Sequence, residues 1–342
     1  MRNANMKSSK NCCQKCRPFR HMKKNLVLYR FYFGLIVLGP VVSCKTHPNS
    51  ARYYDDNNPK KVYHLHLNPP AGAQYTYTVT RATEFETEVD GKKVDNKNRS
   101  QMEVTYTVGK DSSGDFLLDI VYNKIHLYSK NGDAEEEQDA DKATESTDPV
   151  EKALGILKGA SLQAVVSAGG QIKSIQGDQA IKDKLLAEFS PGDTYAKTIA
   201  SQQWDRQVKE GLLKNNMEQL FNIFPDSAVH VGDRWKLSST QNEQIKLVNR
   251  SSSQLKEIVD GTAVIRSVGE ISSDSSSGSL NGTPYTADLK GKEEGDAAME
   301  TTTGMLLSSS SESQIIGTIS SMGRDVPVTI SISSKLEGHR VK

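Results

Sequence analysis

In "AQYTYTVTRATEFETEV", residues 73–89, β-forming residues return at every second position with Thr, Arg and Glu between them. A period of two sends alternate side chains to opposite faces, so the stretch is a half-buried strand and not a helix. "NRSQMEVTYTV", 98–108, repeats the pattern, and "DFLLDIVYNKIHLYS", 115–129, continues it after the turn "KDSSGD". Together these predict a long hairpin.

Downstream, "DAEEEQDADKATESTD" opens with six acids in residues 133–141. It lacks the alternating carboxylates, Gly turn and distal Glu of a calcium loop, and reads as a solvated loop. "GASLQAVVSAGGQIKSIQG", 159–177, is strand, Gly-Gly turn, strand. The texture then becomes helical. Asp178 is placed to cap "QAIKDKLLAEF", and after "SPGD" an amphipathic stretch ends "LLKNNMEQLFNIF", with Leu213, Met217, Leu220 and Phe224 on one face.

"FPDSAVHVGDRWKLSST", 224–240, returns the chain to strand. "NRSSSQLKEIVDGTAVIRSVGEI", 249–271, echoes the order of the first hairpin, and "METTTGMLLSSSSES" stands where the Gly-Gly hairpin stood. The serine-rich "SDSSSGSLNG", ending at Gly282, reads as a flexible loop. The expected fold is α+β and mostly β: a curved antiparallel sheet, an unclosed half-barrel. Two β-meander halves (63–176 and 225–342) form one domain, 63–342, with helices (178–223) packed between or against them.

Toward the N-terminus, "KTHPNSARYYDDNNPKK", 45–61, is polar and turn-rich, so residues 44–62 read as a tether. Before it, "FYFGLIVLGPVV" follows Lys23, Lys24 and Arg30 and leads into Val41-Val42-Ser43-Cys44. A basic region and a short apolar run make residues 1–43 a signal peptide. The order aliphatic, permissive, small, cysteine predicts lipidation of Cys44, and two or three acyl chains make a lasting membrane anchor. A secreted protein with a free cysteine, or an uncleaved signal anchor, is the alternative. Met22 offers a more natural start, in which case Cys12, Cys13 and Cys16 are not made. Lys45 beside the anchor leans toward the outer membrane, because an Asp there would favour inner-membrane retention in the lipoproteins this sequence resembles.

The first 43 residues carry nine Lys or Arg and no acid, so of 43 basic and 42 acidic residues the remainder keeps 34 and 42, a net charge of −8. That balance excludes a nucleic-acid surface. No cysteine follows Cys44, so the body rests on its packed core.

The "YTYTV" strand, "GASLQAVVSAGGQIKSIQG" and above all "FPDSAVHVGDRW" resemble an uncharacterised family of Gram-negative bacterial lipoproteins of unknown function. Phe224, Pro225, Gly232, Asp233 and Trp235 carry the match. The overall plan is similar to the half-barrel of periplasmic lipoprotein carriers. The resemblance implies no activity.

Catalytic signals are thin. His64 and His66 share a strand face but have no third ligand nearby, and there is no G-x-S-x-G elbow, no S-x-x-K beside partner motifs and no H-E-x-x-H. No metal, cofactor or enzymatic activity is expected. Two functions fit. In the first, the body is a binding or carrier module for a lipid or other apolar ligand, with Leu212, Leu213, Met217, Leu220, Phe221, Phe224 and Trp235 as lining. In the second, a structural or assembly lipoprotein engages an envelope protein partner and has no ligand cavity.

Overall fold

The alternating segments of the sequence become long strands joined by tight turns. The structure, a computed structural model, describes residues 60–341 except 90, 112, 146–148, 206–208, 210–212, 243–244, 274–275 and 281–282. These all fall within the compact unit Phe33–Lys342. Cys44, the signal peptide and the tether up to residue 59 lie outside the described residues.

Thirteen strands form one antiparallel sheet that stays unclosed. The first meander is β1 (Gln74–Val89), β2 (Lys92–Lys110), β3 (Phe116–Asn131), β4 (Ala134–Asp139), β5 (Ser161–Val166) and β6 (Ile172–Gln176). The second is β7 (Arg234–Asn242), β8 (Lys246–Val259), β9 (Thr262–Ser272), β10 (Ser276–Leu280), β11 (Thr283–Glu300), β12 (Leu306–Ser321) and β13 (Arg324–Arg340). The order is β6-β5-β3-β2-β1-β13-β12-β11-β9-β8-β7, with β4 on β3 and β10 on β11. The first strand therefore pairs with the last, through a register running from Tyr75↔Arg340 to Thr87↔Val328, and joins the two meanders into one sheet. Turn chemistry sets the hairpins. Asp260 and Gly261, both at positive φ, make the two-residue link between β8 and β9, in the left-handed conformation that matches strand twist.

On one face Tyr75, Tyr77 and Val79 of β1 meet Met102, Val104 and Tyr106 of β2 and Leu118, Ile120 and Tyr122 of β3, all buried. Helices α1 (Pro149–Leu157), α2 (Asp178–Ala187), α3 (Thr194–Gln203) and α4 (Asn215–Phe221) belong to this side, contributing buried Leu157, Ile181, Leu185, Met217 and Phe221 to the same cluster. Tyr77, Tyr106 and Phe221 form an edge-on chain, with centroid distances of 5.8 and 6.2 Å, that docks α4 on the sheet. The opposite face of the same strands carries Thr76, Thr78, Glu84, Lys97, Glu103 and Thr105, with Thr76 and Thr105 hydrogen-bonded at 2.9 Å.

A strap precedes β1. Tyr63 bridges Val229, Leu67 N donates to Ala168 O, and Asn68 N donates to Thr303 O, so residues 63–68 touch both meanders. Tyr63, Leu65 and Leu67 are buried and His64 and His66 exposed, the alternation expected of them.

Several expectations are corrected. The acidic segment is not a free loop: β4 pairs with β3, where Glu135 meets Lys130 at 2.5 Å and Glu137 meets His126 at 2.8 Å. A single 3-10 turn, Ala140–Lys142, follows with Ala140 buried, and Asp141 pairs with Lys158. The carboxylates that argued for solvation are matched by bases on the neighbouring strand, which a one-dimensional charge reading does not see. Asp178 is not a cap: Gly177 holds that position at φ 91°, and Asp178, nearly buried, pairs with Lys209 at 2.8 Å. The serine-rich run includes β10, paired with β11, so it is not simply a loop.

Candidate functional site

The side chains expected to line an apolar pocket are brought together, but as packing. Leu213, Met217, Leu220, Phe221 and Phe224 are each at most 4% exposed and Trp235 is 9% exposed, all within one continuous hydrophobic cluster. Leu212 lies outside the described residues. The Trp235 indole Nε1 donates to the Ile223 carbonyl at 3.0 Å, and Gly170 at φ 80° backs directly onto Phe221. The helices cover this face of the sheet, with these side chains buried beneath them.

A second feature was not expected. Along the sheet register, one inward row runs Trp235, Ser253, Ser267, Gly295, Ser311, Ser334, Arg81. The next row runs Leu237, Ser251, Gly269, Glu293, Ser313, Ile332, Thr83. On one side of these rows lies the helix-covered cluster. On the other lies a separate apolar cluster of Phe85, Leu247, Ile271, Leu289, Ile315, Val328 and Ile330. The interior is therefore apolar, polar, apolar along the strands.

Glu293 is the acid of this layer. Asn249 Nδ2 donates to its Oε2, and no side chain intervenes at Gly269, where an added Cβ would come within 2.7 Å of Asn249 Oδ1. Burial pushes the carboxyl up to about 8, against the smaller opposing pulls of the Asn249 hydrogen bond and the Arg81 charge. Among the described residues the buried Asn249 Oδ1 and Ser311 Oγ have no hydrogen-bond partner. The signal was available: Arg81 and Glu293 are charges on the inward phase of their alternating strands, the phase that carries Tyr77 and Val79 in one and Leu289 and Met299 in the other.

A concavity of about 700 Å³ at β7, β8, β9 and β11 is lined by Leu237, Ser251, Gly269 and Glu293 of the Glu293 row and edged by Lys236, Arg250, Glu270, Lys292 and Glu294. Another of about 540 Å³ lies at the hairpin ends around Tyr285 and Met322. His66 Nδ1 donates to the His64 carbonyl at 2.9 Å, and no group of three or more metal-ligating side chains occurs among the described residues. No described helix is long and apolar enough to cross a membrane.

A family model described as "Family of unknown function (DUF6263)" matches residues 113–306. No curated protein matches the chain. An outer membrane channel from Pseudomonas putida F1 aligns over 85% of this chain and 100% of its own, at 7% identity and a TM-score of 0.23. The translocator domain of autotransporter NalP from Neisseria meningitidis aligns over 79% and 90%, at 7% identity and a TM-score of 0.19. At these scores neither likeness carries an argument.

Proposed function

This chain belongs to DUF6263, a family of unknown function, and we propose that it is a lipid-anchored envelope protein, held through Cys44, whose body is a non-catalytic scaffold for an envelope protein partner. The supporting observation is the filled helical face, where the described lining candidates are packed to 9% exposure or less. A carrier needs several hundred Å³ of apolar space there. The outward face supports a body standing in water: it presents Thr, Glu and Lys, whereas a membrane barrel turns an apolar band outward. Lys45 after the anchor supports the outer membrane.

Native mass spectrometry of protein purified from its host, followed by lipid extraction, tests this reading. Covalent acyl mass on Cys44 with no stoichiometric free lipid is the expected result. A lipid that leaves only on denaturation restores the carrier reading. Cys44→Ala is expected to release a folded body from the membrane and abolish acyl labelling; label retained by the variant overturns the anchor.

A further inference from the structure

We propose that Asn249 and Glu293 form a proton-operated latch inside the sheet: protonated Glu293 closes a reciprocal pair with Asn249, and losing that proton to solvent loosens β8, β9 and β11.

The geometry carries the proposal. The Asn249 carboxamide already gives its N–H to one Glu293 oxygen, while its own Oδ1 is buried with no partner. A protonated carboxyl has a donor for that acceptor, so acid and amide complete two hydrogen bonds. An ionised carboxylate has no donor to offer and leaves Oδ1 unsatisfied, at a cost of about 1–3 kcal/mol. Turning the amide over exchanges the two roles and still sets one acceptor against one carboxylate oxygen. Gly269 is what permits the approach, since a side chain there would enter the gap that Asn249 spans.

Every element around the carboxyl has been placed. β1 brings Arg81 and Thr83, β8 Asn249 and Ser251, β9 Gly269, β12 Ser311 and Ser313, and β13 Ser334 and Ile332. Arg81 is the charge that acts on the carboxyl from this face, and its attraction is outweighed by desolvation; Lys236, Arg250, Glu270, Lys292 and Glu294 edge the concavity that Glu293 also lines.

The sign is fixed by linkage. A glutamate at its ordinary value of 4.5 when unfolded and at about 8 when folded binds more protons in the folded state between those values. Stability contributed by Glu293 is therefore full below about pH 4.5, falls by up to about tenfold in the folding equilibrium per pH unit, and is lost by about pH 8.

The test is chemical denaturation of the chain from residue 45 onward, lacking the anchor cysteine, at a series of pH values from about 5 to 9, wild type against Glu293→Gln. Gln keeps the shape and both hydrogen bonds without a titrating proton. The ratio of the two folding constants is expected to fall steeply as pH rises, with amides of β8, β9 and β11 losing protection in the wild type relative to the variant at the same pH. Parallel pH profiles overturn the latch. Should the variant fail to fold, infrared spectra of the wild type decide: a protonated side-chain carboxyl band at neutral pH that vanishes by about pH 9 is expected, and its absence at neutral pH overturns the proposal.

Discussion

The Trp235 indole donates to the Ile223 carbonyl at 3.0 Å, so the first strand of the second meander is fastened to the chain leaving the last helix. The β1–β13 ladder joins the two halves, and this contact ties the helical connector to the second of them. Trp235→Ala removes both the bond and a large buried volume, and about 3–5 kcal/mol of stability is expected to go with it. Trp235→Phe keeps most of the volume but strands the carbonyl, and is expected to cost about 1–3 kcal/mol. Equilibrium denaturation of both variants checks this. A Trp235→Ala protein that melts unchanged would show that the residue lines a space and not a core.

The acidic segment gives the opposite expectation from its composition. Because β4 is paired along β3 and Ala140 is buried, deleting residues 134–142 is expected to lower the thermal midpoint clearly and to expose β3 to proteolysis. Neutralising Glu135 and Glu137 to Gln is expected to leave the midpoint almost unchanged, since both are exposed and screened by solvent. A deletion with no thermal effect would return the segment to the status of a loop.

The strands were legible because their alternation is long and regular; of the helical repeat Leu213, Met217, Leu220 and Phe224, only Met217 and Leu220 fall within α4, though all four are buried in one cluster. Pairing across strands was not legible. Lys130, 5 residues before Glu135, becomes its partner only when the chain folds back. The polar rows are the sharper lesson. Ser311, Ser313 and Ser334 look like surface serines one at a time, and become a buried layer only when β12 and β13 are set in register with Glu293 and Arg81. Cys44 falls among residues that are not described, so the anchor rests on the sequence.

Gly170 is a test of how closely α4 sits on the first meander. Its φ of 80° is unfavourable for an L side chain, and an added Cβ would overlap the Phe221 carbonyl oxygen. Gly170→Ala is therefore expected to destabilise by more than the ~1 kcal/mol typical of an exposed left-handed glycine, because backbone has to move as well. Gly114→Ala is the control, since its φ of 87° is similar but an added Cβ meets nothing within 4 Å. Equal losses in a denaturation comparison would mean that the α4 contact is loose.

The aromatic chain predicts how the protein responds to base. Burial raises the hydroxyls of Tyr77, Tyr106 and Tyr122 above the ordinary tyrosine value, and for Tyr77 and Tyr106 neighbouring phenols add to the rise. In the unfolded chain these groups ionise near the ordinary tyrosine value of 10.0, so above it the unfolded state has released protons that the folded state still holds. Stability is then expected to fall as pH climbs past about 10, and to be intact below it as far as these groups are concerned. Ultraviolet titration is expected to show the buried set ionising only in a cooperative step that coincides with loss of near-ultraviolet circular dichroism. Tyr106→Phe removes one such proton at little cost in packing and is expected to move that step to higher pH. Smooth ionisation of Tyr77, Tyr106 and Tyr122 with tertiary structure retained would mean that the helical face is open to water, and with it the carrier reading would return.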